Sequence, residues 1–149
     1  MKQISALFVL FILLFTSCNN GQSSSDDLSW NGNLEKAIEQ AKKENKAVLV
    51  NFTGSDWCVW CKRLSAEVFQ QKEFEAYAED NLVLVILDFP KDIEQSQEIK
   101  AYNNKLAQKY GIQGFPTILL IDGQGKLVAQ TGYQPGGAAK YVEHIKSYL

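Results

Sequence analysis

The chain has 149 residues, which is enough for one domain with its own core and too few for two domains of ordinary size. Hydrophobic residues make up 46% and charged residues 21%, a globular mixture that argues against disorder over most of the length. The formal net charge is -2 at pH 7, so the chain lacks the basic surface that nucleic acid binding requires, and no nucleic acid partner is expected.

The amino terminus has the features of an export signal. A short positive start, Met1 and Lys2, precedes an unbroken apolar run of ten residues from Ala6 to Phe15. This run is too short for a transmembrane helix, which needs about 20 apolar residues. We therefore predict that residues 1–17 form a signal peptide.

The end of the apolar run resembles a bacterial lipobox. Residues 14–18 read Leu-Phe-Thr-Ser-Cys, although Phe15 stands where leucine is commoner. The resemblance implies that Cys18 is lipidated and holds an exported lipoprotein on a membrane, facing the periplasm or the cell surface. The alternative is an ordinary cleaved signal in which Cys18 has no role. Residues 18–29, nearly all polar, are predicted to be a flexible tether, and residues 30–149 the folded domain.

The first predicted elements of the domain are a helix and a strand. Apolar residues recur at helical spacing after Asn33, a residue type that caps helices, and predict a helix to about Asn45. Its apolar face comprises Leu34, Ala37, Ile38 and Ala41. The apolar run 47–52 is typical of a strand buried on both faces, and residues 53–56 follow as a turn.

The next segment is predicted to be helical and to lead into a second strand. Helical spacing resumes after Cys58 and continues to about Ala78, as one helix or two. The apolar stripe comprises Cys61, Leu64, Val68 and Phe69, followed by Phe74, Tyr77 and Ala78. Residues 82–87, Leu-Val-Leu-Val-Ile-Leu, form the clearest strand in the chain.

The second half of the domain is predicted to be a helix, a hairpin and a last helix. Residues 96–110 have helical spacing, and Gly111 supplies the stop. The buried face of this helix is expected to comprise Ile99, Tyr102, Leu106 and Tyr110. A strand at 117–121 pairs with 126–130 across a Gly-containing turn. The last helix, after Gly137, is expected to bury Ala138, Tyr141, Val142, Ile145 and Leu149.

This order of elements predicts an α/β fold. Two strands joined by a helix run parallel with a right-handed crossover, and the hairpin that follows adds an antiparallel edge. We therefore expect a mixed central sheet of about four strands flanked by helices.

Cys58 and Cys61 are the residues that point most directly to chemistry. They are spaced C-x-x-C where the first long strand gives way to a helix. Free backbone N–H groups and the positive end of the helix dipole stabilise a thiolate there, so Cys58 is expected to have a lowered pKa and to be the attacking sulfur. The same spacing also occurs in half of a zinc site or in a structural disulfide. Zinc needs more ligands than this pair and the sole histidine, His144, so no metal site is predicted.

The residues around the cysteines resemble the thioredoxin superfamily. The resemblance rests on residues 51–62, Asn-Phe-Thr-Gly-Ser-Asp-Trp-Cys-Val-Trp-Cys-Lys, and on Gly-Phe-Pro-Thr at 114–117, and it covers the chain from about Leu34 to Leu149. The Trp-Cys-x-Trp-Cys segment is similar to a group of exported proteins that includes the periplasmic carboxy-terminal domain of the transmembrane thiol reductase. Membership implies a thioredoxin-like fold and a redox-active Cys58–Cys61 disulfide.

The resemblance also implies a substrate-binding surface. In the family, the proline that matches Pro116 is cis and faces the dithiol, so Phe115 would present its backbone to an extended substrate peptide. Trp57 would lie beside the dithiol, and Val59 and Trp60, between the cysteines, would be exposed to substrate.

One position departs from the family. Asn51 stands where many thioredoxins have a buried aspartate that helps proton transfer at the resolving cysteine. Because asparagine cannot titrate, proton transfer would have to use water or a neighbouring group.

Together these residues predict a protein-disulfide reductase. Cys58 attacks a substrate disulfide and Cys61 resolves the mixed disulfide, and oxidase or isomerase chemistry would use the same atoms. No nucleotide or flavin motif is visible, so we expect no bound cofactor, a membrane dithiol as electron donor, and exported protein or peptide disulfides as substrates. Two alternatives stay open, namely a non-catalytic tethered module that binds extended peptides and a metal relay through the two thiolates.

Overall fold

A computed structural model describes residues 28–149 of the chain. The predicted signal peptide, Cys18 and the tether up to residue 27 lie outside the described residues. Within 28–149, no helix combines the length and the apolar character needed to cross a membrane.

Residues 28–149 form five strands and five α-helices. The strands are β1 (Trp30–Asn31), β2 (Ala47–Thr53), β3 (Leu82–Asp88), β4 (Thr117–Ile121) and β5 (Leu127–Thr131). The helices are α1 (Leu34–Glu44), α2 (Val59–Leu64), α3 (Lys72–Asn81), α4 (Gln97–Lys109) and α5 (Gly137–Lys146). A π-helical turn at Ser65–Phe69 continues α2. Every predicted element is present, and β1 adds a fifth strand to the expected four because two residues are too short to show a strand pattern in the sequence.

The strands β2, β3 and β4 meet at one end of the sheet, next to the segment that carries the cysteines. Its strand order is β1-β3-β2-β4-β5, with β2 parallel to β3 and antiparallel to β4. Thr53 pairs with Asp88, and Phe52 pairs with Thr117, so β2 and β3 end where β4 begins. The chain leaves β2 at this edge and reaches Cys58 five residues after Thr53. Functional groups at this edge therefore come from three separate segments of the sequence.

Each face of the sheet carries its own hydrophobic core. Val48, Val50 and Phe52 of β2 pack on the face covered by α1 and α4. Leu49 points to the other face, where α2, the π-helical turn, α3 and α5 contribute the side chains that cover the sheet. The largest of these are Leu64, Phe69, Phe74 and Tyr141. Strands buried on both faces explain why β2 and β3 are continuous apolar runs without alternation.

Two residues predicted to be buried are exposed. Ile99 lies in the first turn of α4, and the buried polar residue Asn103, one turn later, donates a hydrogen bond of 2.8 Å to the backbone oxygen of Asp88 at the end of β3. The sheet therefore ends level with Asn103, and Ile99 projects beyond it. Leu149 is exposed because α5 ends at Lys146, so Leu149 is not part of the helical face that packs against the sheet.

The segment after β3, residues 89–96, is held against the turn that follows β2. The carboxylate of Asp56 accepts hydrogen bonds of 2.6 to 3.2 Å from three successive backbone N–H groups, those of Lys91, Asp92 and Ile93. Ser55 reinforces the link, since its N–H and its hydroxyl donate to Asp88 at 2.9 and 2.6 Å. Desolvation alone would raise the pKa of Asp56, but these backbone hydrogen bonds outweigh it and hold the pKa below its usual value.

Replacing Asp56 with alanine should loosen this segment. We expect the amide protons of Lys91, Asp92 and Ile93 to exchange with solvent roughly tenfold faster at neutral pH, because they lose a charged acceptor. Since the pKa of Asp56 is lowered on folding, the same loosening should occur in the parent chain only as the pH falls below about 3.9, the ordinary value for aspartate. Amide exchange measured by NMR tests both, with the exposed Glu94→Ala variant as control. Unchanged exchange in Asp56→Ala would contradict the role given to this carboxylate.

Candidate active site

Cys58 and Cys61 form a disulfide at the start of α2, with their Cα atoms 5.2 Å apart. Cys58 is the N-cap of the helix in an extended conformation, and its sulfur accepts a hydrogen bond of 3.2 Å from the backbone N–H of Cys61. The Cys58 N–H donates to the backbone oxygen of Gly54 at 2.9 Å, which closes the turn between β2 and α2. One sulfur therefore occupies the place that a serine or aspartate oxygen takes at other helix starts.

Burial does not distinguish the two cysteines, but position does. Cys58 is 5% exposed and Cys61 is 6% exposed. The burial expected for Cys61 is therefore observed, and Cys58 shares it. Cys58 precedes the helix, where the Cys61 N–H donates to its sulfur, whereas Cys61 lies inside the first turn and lines a cleft with both polar and apolar walls. A substrate disulfide must reach the pair through a small opening.

Trp57 lies directly before the pair, and three neighbours contact its ring although the side chain is 37% exposed. Its Nε1 donates to the backbone oxygen of Phe89 at 2.8 Å, and the Lys91 Nζ atom lies 4.0 Å from the ring centroid. Its ring meets that of Phe115 edge to face, with centroids 5.9 Å apart. A Cβ atom on Gly54 would lie 2.5 Å from the indole, so only glycine leaves room for this ring. These contacts hold the indole in one orientation.

Phe115, whose ring contacts Trp57, is followed by Pro116. The peptide bond between them is cis, as the family resemblance implies. Both residues are half-buried, and the Phe115 ring centroid is 5.0 Å from that of Phe89. Because Thr117 pairs with Phe52, Pro116 lies at the sheet edge from which the chain departs toward Cys58. The fold therefore brings this pair to the same edge as the disulfide and Trp57.

Val59 and Trp60, between the cysteines, are 73% and 52% exposed. The exposure expected for Trp60 is observed, yet its ring is held by neighbours. Its centroid lies 5.3 Å from that of Tyr133, and the Arg63 guanidinium carbon lies 5.5 Å and 5.4 Å from the two centroids. Glu67 accepts 2.6 Å hydrogen bonds from the Tyr133 hydroxyl and the Arg63 Nε. These bonds, that from Tyr133 first, lower the pKa of Glu67.

Three residues of this surface were not predicted. Phe89 follows β3 directly, and the rule that the carboxyl ends of parallel strands meet at one edge could have placed it beside Cys58. Tyr133 follows β5, and the hairpin register brings the end of β5 back to the start of β4. Gly54 carries no signal in a single sequence, because its role depends on where the Trp57 ring folds back.

The sole histidine, His144, was not expected to bind a metal and belongs to α5. Its Nε2 shares a hydrogen bond of 2.9 Å with Thr131 at the end of β5. Across residues 28–149, no group of three or more His, Cys, Asp or Glu side chains is arranged to hold a metal ion.

Comparison with known proteins agrees with this architecture. The sequence profile described as a thioredoxin-like domain matches residues 34–146. The chain is 39% identical over 123 residues to the disulfide bond reductase DsbH of Chlamydia pneumoniae, covering 83% of this chain and 74% of that protein. The solved structure of the DsbH oxidoreductase superimposes with a TM-score of 0.77 and 36% identity, over 89% of this chain and 94% of its own.

A more distant relative is the thiol:disulfide interchange protein DsbD of Colwellia psychrerythraea, which is 27% identical over 143 residues. The match covers 91% of this chain but only 22% of that longer protein. The resemblance read from the C-x-x-C and Gly-Phe-Pro-Thr segments is confirmed, and the chain belongs to the thioredoxin-like family.

Proposed function

We propose that this domain is a thiol–disulfide oxidoreductase that reduces protein disulfides outside the cytoplasm through Cys58 and Cys61. The observation that carries the proposal is the disulfide itself, which closes the first turn of α2 and has the exposed residues Val59 and Trp60 between its two cysteines. The identity to a protein named disulfide bond reductase supports the direction of the reaction.

The reaction starts from the dithiol. The Cys58 thiolate attacks one sulfur of a substrate disulfide, and the other substrate sulfur leaves with the bonding electron pair and takes up a proton. Cys61 then loses its proton and attacks the Cys58 sulfur in the mixed disulfide, so that the second substrate thiol is released. The substrate gains two electrons and two protons, and the domain ends as the Cys58–Cys61 disulfide seen in the structure.

The proposed substrate surface is apolar and partly rigid. The backbone of Phe115, beside Pro116, would hydrogen-bond an extended peptide, while Trp57, Val59 and Trp60 would contact its side chains. Aromatic side chains that are already held in place lose little entropy on binding, which favours recognition of unfolded segments without demanding one sequence.

The electron donor proposed for the next cycle is a membrane dithiol. It would attack the Cys58–Cys61 disulfide by the same exchange reaction in reverse, passing two electrons to the domain without a bound cofactor. Disulfide-containing exported proteins or peptides would be the substrates.

Replacing Cys61 with serine should trap substrates on Cys58. The first attack remains possible, but no thiol is left to resolve the mixed disulfide, so turnover should be lost while covalent complexes accumulate. Mass spectrometry of complexes from an exported-protein extract would identify them, and reduction should release the trapped partners.

The matched control is Cys58→Ser, which should neither reduce disulfide substrates nor form covalent complexes with them. A passive peptide-binding module would instead bind partners equally in the parent chain and in a Cys58→Ser, Cys61→Ser double variant, with no exchange activity in the parent. That result would replace the reductase proposal.

We also propose that the domain is anchored to a membrane. The pattern of residues 1–18 supports a lipoprotein signal, with cleavage before Cys18, a polar tether at 18–29 and the folded domain at 30–149. More than one acyl chain on Cys18 would make the attachment stable.

Replacing Cys18 with serine should abolish metabolic labelling of the chain with palmitate. The substitution should also move the protein from the membrane fraction to the released fraction, because the apolar run is too short to anchor it. Labelling that persists without Cys18 would refute the lipoprotein assignment and leave the reductase proposal intact.

A further inference from the structure

The aromatic pair Trp60 and Tyr133 adjoins the proposed peptide-binding residues. Its ring centroids lie 5.3 Å apart. A Cβ atom on Gly132 would lie 3.0 Å from the Pro116 backbone oxygen, so the backbone that leads into Tyr133 lies directly against that proline. A continuous path of bonded or contacting residues therefore joins the two cysteines through the proposed substrate surface, and it comprises Cys58, Trp57, Phe115, Pro116, Gly132, Tyr133, Trp60 and Cys61.

A cation lies against each of the two tryptophans on this path. The Arg63 guanidinium carbon is 5.5 Å from the ring centroid of Trp60, and the Lys91 Nζ atom is 4.0 Å from that of Trp57. Both cationic residues are exposed. They come from different segments, α2 and the chain after β3, yet each contacts a tryptophan that immediately precedes a cysteine. The proposed substrate surface is therefore flanked by two positive charges.

Arg63 has hydrogen-bond donors to spare. Its Nε donates to Glu67 at 2.6 Å, and this is its only hydrogen bond within residues 28–149. The guanidinium has four further N–H donors on its two Nη atoms, and the side chain is 51% exposed. Lys91 likewise forms no ion pair with any residue that the structure describes. Both cations are thus able to bind a group from outside the domain.

The carboxylates in contact with this surface are already occupied. One oxygen of Glu67 accepts from the Arg63 Nε and the other from the Tyr133 hydroxyl, which holds the guanidinium beside Trp60. Asp56 accepts from three successive backbone N–H groups at 91–93. The donors left over at this surface therefore fit an anionic ligand, and a guanidinium fits a carboxylate best because two parallel N–H groups can bind its two oxygens.

We propose that Arg63 and Lys91 bind acidic side chains near the substrate cysteine and make the domain selective for disulfides in acidic sequences. This inference rests on the proposed function and names its substrate class. An extended peptide beside Pro116 brings its cysteine to Cys58, and its neighbouring side chains pass the two tryptophans. The cations act on capture of the substrate by Cys58 and take no part in the exchange of electrons, so the sulfur chemistry is unchanged.

The test compares how fast Cys58 captures two peptides, in the full chain carrying Cys61→Ser. The probes are symmetric disulfide dimers of a short single-cysteine peptide, with glutamate or glutamine at the positions that flank the cysteine. Each capture rate at neutral pH is divided by the rate at which a small neutral thiol cleaves the same dimer, which removes differences in the reactivity of the disulfide itself. We expect the glutamate peptide to be captured roughly five times faster than the glutamine peptide.

Removing either cation should lower this ratio. Arg63→Gln and Lys91→Gln should each reduce it about twofold, and the two together should bring it to about one. Because the ratio compares two peptides on one protein, a general change in the reactivity of Cys58 cancels. Arg63→Gln also leaves Glu67 without its partner, so we pair it with an Arg63→Gln, Glu67→Gln double variant, in which the ratio should fall equally.

Lys146→Gln is the matched control. The Lys146 Nζ atom also lies on an aromatic ring, 4.7 Å from the centroid of Tyr77. Tyr77 lies near the end of α3, just before β3 begins, so this pair is at the end of the sheet opposite to the cysteines. The substitution removes one positive charge without touching the proposed substrate surface, and the ratio should stay at the value of the Cys61→Ser chain.

The outcomes separate the two proposals. A ratio of about one in the Cys61→Ser chain, an equal fall in Lys146→Gln, or an unchanged ratio in the Arg63→Gln, Glu67→Gln variant would overturn the selectivity and leave the reductase intact. Failure of Cys58 to capture either peptide would overturn both.

Discussion

The placement of one sulfur at the head of a helix governs the rest of this structure. Cys58 caps α2, and its sulfur lies 3.2 Å from the backbone N–H of Cys61. That placement requires β2 to end at Thr53, a turn closed on Gly54, and a helix that begins at Val59 and continues through the π-helical turn. The hydrogen bonds of Asp56 fix the neighbouring segment, so the turn has little freedom to carry the sulfur elsewhere.

The exposed side chains next to the disulfide form the surface on which the proposed function depends. Trp57, Val59 and Trp60 are all exposed there, and the Trp57 ring is in contact with that of Phe115. Under the proposed function, an extended substrate peptide binds across these side chains and brings its disulfide to Cys58.

The sequence was sufficient for the elements and the cysteine pair, because these depend on local spacing. Helical periodicity located α1 and α5, continuous apolar runs located β2 and β3, and the C-x-x-C spacing located the disulfide. The features that the sequence predicted wrongly or did not predict depend on tertiary contacts. Ile99 is exposed because the sheet ends one turn too early to cover it, and β1 is too short to show a pattern.

The same distinction applies to the site. Cys58, Cys61 and Trp60 could be placed from their neighbours in sequence, whereas Phe89 and Tyr133 reach the surface only through strand register.

The central claim is that the first turn of α2 makes the Cys58 thiol acidic and reactive. The most direct measurement is the rate of alkylation of Cys58 by iodoacetamide as a function of pH, in the Cys61→Ser variant. The account predicts a midpoint clearly below about 8.5, the ordinary value for a free cysteine. A midpoint at or above that value would contradict it.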